Sequence, residues 1–178
     1  MYIFLEQPLI GIGIVLVLAF LDYPLTAIAR SSYDKYMHRY VDYQSMRSAE
    51  THKVGYIWVI IKLLIAVFLY LIWLFHSKGD LEITGRFYLW LLGFAIASYF
   101  LINLRHVESI MLSRLYSQTD SVNGHIAYHS RFSMKISAVQ MFSIFIILCL
   151  VTVLLPNYFT IGLTCAPLFL ATRNLLLS

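Results

Sequence analysis

Four long apolar runs, at 9–29, 54–75, 87–104 and 136–155, constrain this chain more than any other feature. About 20 apolar residues in a helix cross the roughly 30 Å hydrocarbon core of a bilayer. At that depth a strand edge or an open loop leaves backbone N–H and C=O groups without water, whereas a helix satisfies them within itself. The sequence therefore reads as an all-α, polytopic helical membrane protein. Composition agrees: 60% of residues are hydrophobic and 12% charged, against about 25% charged in a typical soluble domain. We expect the whole chain, 1–178, to form a single integral membrane domain.

A fifth run, 158–177, is interrupted by Pro167, Arg173 and Asn174. It fits a tilted span whose arginine snorkels to the interface, or a re-entrant piece. We take it as a fifth span. The apolar stretch Leu9 to Leu21, followed by Ala27-Ile28-Ala29, resembles a secretory leader, but Glu6 stands where the basic segment belongs. An uncleaved spanning helix is the expectation.

Basic residues set the orientation. The interval 30–53 holds Arg30, Lys35, Arg39, Arg47 and Lys53, and 105–135 holds Arg105, Arg114, Arg131 and Lys135. The link between the second and third runs has only Lys78 and Arg86. Positive charge marks the cytoplasmic side, which puts the N-terminus outside and both long intervals in the cytoplasm of a plasma or inner membrane. The net charge of +4 then reflects topology and calls for no nucleic acid partner.

Both intervals have helical patterns. Tyr33, Tyr36, Tyr40 and Tyr43 recur every three or four residues, and Asp34, His38 and Asp42 every four. Ser48 suits an N-cap for the second span. The sequence after the third run, Val107 to Tyr116, continues its helical spacing, so that helix is expected to project beyond the bilayer. Gln118 to Gly124 reads as a turn, and a new helix is expected from His125.

Asp22 and Lys62 are the sharpest chemical signal. They lie eight and nine residues from Arg30 and Lys53, which at about 1.5 Å per residue puts both roughly 12–14 Å from the basic edge. Ionisable residues at such depth normally face the bundle interior and a partner. They suit a gate, an ion site or a charged lock, and equally a neutral pair that fixes helix register. Pro24 lies beside them and removes a backbone donor.

A second constellation is Asp34, His38, Asp42, His125 and His129, with Glu50, His52, His106 and Glu108 on the same side. Spacings of four fit paired ligands for Zn, Fe or Mn. They are also common on solvated helix faces, and the further HxxHH clusters of membrane di-iron hydroxylases are absent. The sequence has no GxSxG, GxxxxGK[ST], HExxH or CxxC. Arg105, Arg114, Arg131 and Lys135 suit contacts with lipid headgroups or a bound anion. Ser98, Asn103 and Gln140 suit hydrogen bonds between helices.

These features favour a small channel or transporter subunit for ions, embedded in the lipid bilayer as a homo-oligomer. In that reading Asp22 and Lys62 gate or couple. A membrane-bound metal enzyme and a noncatalytic assembly or scaffold subunit are the alternatives.

Overall fold

Apolar runs of this length bury their backbone polarity by coiling, and each does so. The computed structural model describes residues 3–37, 41–43, 55–79, 82–118, 126–128 and 130–178. In chain order these form α1 (Ile3–Glu6), α2 (Pro8–Ser32), a π-helical turn (Tyr33–Met37), β1 (Val41–Tyr43), α3 (Gly55–Gly79), α4 (Glu82–Gln118), β2 (Ile126–Tyr128), α5 (Ser130–Leu154) and α6 (Tyr158–Leu176). Among the described residues, five helices are long and apolar enough to cross a membrane.

The fifth run is a full helix. Asn157 opens α6 with a reciprocal cap, its side chain accepting from the Thr160 N–H at 2.8 Å while Thr160 Oγ1 accepts from the Asn157 N–H. Pro167 lies buried within it. Helix α2 likewise continues through Pro24.

The longest helix, α4, has 37 residues, about 56 Å at 1.5 Å per residue. That exceeds the bilayer core, so α4 projects as its spacing indicates. It is also the hub, packing against α2, α3, α6 and the π-helical turn, while α6 joins it to α5. One apolar core joins α2, α3 and α4 through Val15, Leu69, Tyr88 and Leu92. A second joins α4, α5 and α6 through Leu101, Met141 and Leu170.

Small residues bring α4 and α6 together. A Cβ on Gly93 would collide with the Phe159 carbonyl oxygen, and one on Gly162 with the Trp90 carbonyl oxygen. Each glycine thus admits the other helix's backbone, the close approach by which helices gain packing in lipid, where hydrophobic contrast between them is lost.

Polarity is distributed as a membrane requires. On α3, Ile57, Ile60, Leu64 and Phe68 are 54–60% exposed, whereas Lys62 is 7% exposed. Outward apolar side chains with an inward charge suit lipid surroundings, and in water would form an unusually large exposed apolar surface.

Two local expectations in the long intervals are corrected, at 41–43 and 126–128. The first helical extension ends in the π-helical turn at Met37, and Asp42 lies in β1; the helix expected from His125 begins only at Ser130. Between them β1 and β2 pair in parallel, with Val41 opposite Ile126, Asp42 opposite Ala127 and Tyr43 opposite Tyr128. Val-Asp-Tyr and Ile-Ala-Tyr carry the β-branched and aromatic residues that fit a pleated surface. Tyrosines spaced by three and four also fit a helix, so spacing alone misled over so short a stretch. His38, Tyr40, Ser48, Glu50, His52, His125, His129 and the 119–124 part of the turn lie outside the described residues.

Candidate functional site

Lys62 reaches Asp22 because α2 and α3 are packed neighbours and carry the two residues at one level. Its Nζ lies 3.3 Å from Asp22 Oδ2 and donates to the Ala19 carbonyl oxygen at 2.5 Å. The ammonium is buried, so both contacts offset its loss of water. The depth matching read from the sequence thus corresponds to an ion pair.

A third helix completes the cluster. His106 Nε2, on α4, lies 3.2 Å from Asp22 Oδ1 and 3.1 Å from Thr26 Oγ1. Thr26 also donates to the Asp22 carbonyl oxygen at 2.7 Å, one turn back on α2. One turn before His106, Asn103 Nδ2 donates to the Leu18 carbonyl oxygen at 2.7 Å. Side-chain donors from α3 and α4 therefore meet the adjacent carbonyls of Ala19 and Leu18. Pro24 denies Phe20, the next residue, its intrahelical donor.

The carboxylate is shared between a cation and an imidazole. With His106 neutral, Asp22 and Lys62 balance; with His106 protonated, Asp22 faces two cations and the cluster gains a charge. With its one proton given to the Asp22 carbonyl, Thr26 faces His106 as an acceptor. The arrangement can hold a proton, trade ion-pair partners, or lock three helices together. Asp22 is 27% exposed and His106 25%, so both side chains are partly buried in the bundle.

Of the inter-helix polar residues, Asn103 joins α4 to α2 as expected. Its Oδ1 and the Ser98 hydroxyl are buried without partners among the described residues. Gln140 borders a cavity near the basic ends of the helices. Arg105 lines that cavity too, whereas Arg114, Arg131 and Lys135 are exposed.

Among the metal candidates, Asp34 is exposed on the π-helical turn and Asp42 lies in β1. No group of three or more metal-ligating side chains comes together among the described residues.

Sequence reasoning missed His106 as a partner of Asp22 and placed it with the surface group. The usable signal was its spacing of three from Asn103, which puts both on one face of the third helix near the level of Asp22. Counting depth along each helix does not say which faces meet.

Fold and cluster define a multi-pass helical membrane protein with a polar, charged interior contact. No known protein family, curated protein or solved structure matches this chain.

Proposed function

We propose that this protein is a small membrane transport subunit, a channel or carrier for ions, in which the Lys62–Asp22–His106 cluster gates or couples movement. One observation carries the reading: a single carboxylate is held by a buried lysine and a titratable imidazole from two other helices. Changing the proton or the partner of Asp22 alters contacts on α2, α3 and α4 together, which a coupling element requires. Five helices of this size enclose little space alone, so a pathway would form between copies in a homo-oligomer.

Purified protein in liposomes under an imposed potential and pH gradient tests this. Wild type should carry ion or proton flux, and Asp22→Asn and Lys62→Met should reduce it at least tenfold per mole of folded, reconstituted protein. His106→Gln should change its pH dependence. A silent wild type, or flux equal in wild type, Asp22→Asn and Lys62→Met, overturns the proposal.

The strand pair favours a second reading. Pairing sets 41–43 beside 126–128; in sequence, His38 precedes the first of these strands and His125 and His129 flank the second. A Zn, Fe or Mn site there, with Asp34 contributing, would join two strands instead of two helix faces and support a metal-dependent enzyme. Elemental analysis of the purified protein beside a His125→Ala, His129→Ala double variant decides it. Stoichiometric metal lost in the variant supports the site, and metal-free wild type after loading excludes it.

A further inference from the structure

A cavity of about 200 Å³ opens between the π-helical turn, α4 and α5. It is far larger than the roughly 10–15 Å³ that one water needs. Arg105 and Glu108 stand on its α4 wall, and Ser133, Ser137 and Gln140 on its α5 wall. Among the described residues, no side chain hydrogen-bonds or ion-pairs with the Arg105 guanidinium. Arg105 therefore brings a fork of five N–H donors to a polar cavity, without a side-chain partner among the described residues.

The hydroxyls divide by direction. Ser109 and Ser113 donate back to the Arg105 and Ser109 carbonyls at 2.9 and 2.8 Å, and Ser113 also faces Met37 Sδ at 3.7 Å, so their protons are engaged within the protein. Ser137 instead accepts from Asn174 Nδ2 at 2.9 Å, which leaves its own proton free to donate. Asn174 is held in turn, its Oδ1 accepting from Arg173 at 3.2 Å. Arg173 is near enough for its charge to act on Arg105, as is the opposing charge of Glu108. The three charges sum to +1.

We propose that this cavity is an oxyanion site. A phosphate-type group, free or carried on a lipid headgroup, takes a bidentate contact from Arg105 and hydrogen bonds from Ser133 and Ser137. A planar guanidinium matches phosphate oxygens two at a time, and the anion would relieve the repulsion between Arg105 and Arg173. Glu108 disfavours highly charged anions and so selects a singly charged group, such as dihydrogen phosphate or a phosphate ester. Arg105 adjoins His106 on α4, but the cavity lining includes none of Lys62, Asp22 and His106, and the site does not depend on the role of that cluster.

Two binding arms, on the full chain, separate the sources. In neutral detergent at constant ionic strength, inorganic phosphate is titrated calorimetrically. In nanodiscs of phosphatidylcholine with or without phosphatidic acid, retained lipid is counted by native mass spectrometry. Saturable phosphate binding identifies a free ligand, and retained phospholipid identifies a headgroup. In either case Arg105→Gln should weaken binding about tenfold to a hundredfold, Ser137→Ala less, and Lys78→Gln, exposed near the end of α3 and outside the cavity, not at all. Arg105→Lys keeps the charge but loses the fork, and should also weaken binding. Wild type that binds neither probe overturns the proposal. So does equal weakening by Arg105→Gln and Lys78→Gln, or full binding by both Arg105→Lys and Ser137→Ala.

Discussion

Asp22 and His106 meet at 3.2 Å across 84 residues of chain, while the other Asp22 oxygen lies 3.3 Å from Lys62. Three helices thus converge on one carboxylate, and its removal would be felt by all of them. Asp22→Asn leaves the Lys62 ammonium buried without its counter-charge, held among the described residues by the Ala19 carbonyl, a change that typically costs about 3–5 kcal/mol. Lys62→Met should cost less, because Asp22 keeps His106 and Thr26. The double variant Asp22→Asn, Lys62→Met should recover most of the loss by removing both charges. Unfolding equilibria of all three variants in mixed micelles give the coupling energy. Strict additivity would mean that the pair contributes nothing as a unit.

The reciprocal crossing of α4 and α6 makes a sharper structural prediction. Gly93→Ala and Gly162→Ala each drive a methyl group into a backbone carbonyl, which no rotamer change relieves. Each should destabilise the protein by about 1–3 kcal/mol or more. Gly13→Ala serves as the control, since a Cβ there meets nothing within 4 Å. Its substitution should be neutral or stabilising by up to about 1 kcal/mol, because alanine is the better helix former. Thermal denaturation in one detergent ranks the three.

How much of this was legible in the sequence depends on what each feature needs. Span lengths follow from local composition, and so do the projecting half of α4 and the shared depth of Asp22 and Lys62. The fifth span was harder, since Pro167, Arg173 and Asn174 lower its local score. Asn174 turns out to be buried against Ser137 of α5 at 2.9 Å, so packing explains what hydropathy penalised. The His106 contact and the Gly93–Gly162 crossing depend on helix rotation, which a single sequence does not encode locally. The β1–β2 pair joins segments more than 80 residues apart, and tyrosines at helical spacing concealed it.

Asn157 offers a smaller and local test. Its side chain accepts from Thr160 N at 2.8 Å at the start of α6, directly after the short link from α5. Asn157→Ala removes that cap and should cost about 1 kcal/mol, whereas Asn157→Asp keeps the acceptor and should retain stability. Hydrogen exchange at the first turn of α6 should rise in the alanine variant while the centre of the helix stays protected. Equal exchange in both variants would mean that the cap does not hold that turn.

The strand pair can be tested with its register. Partner residues on adjacent strands lie about 4.8–5.5 Å apart, within the 4.4–6.8 Å Cα separation that a disulfide spans. In a background with Cys149 and Cys165 replaced by Ser, Asp42→Cys with Ala127→Cys should cross-link readily under mild oxidation. Asp42→Cys with Tyr128→Cys should do so much more slowly, since a shift of one residue sends the second side chain to the opposite face. Helices in place of the strands would remove this alternation between adjacent positions, and comparable rates for the two pairs would reject the strand register. A fast first pair and a slow second would show that the two long intervals meet edge to edge, the arrangement on which a metal site between them depends.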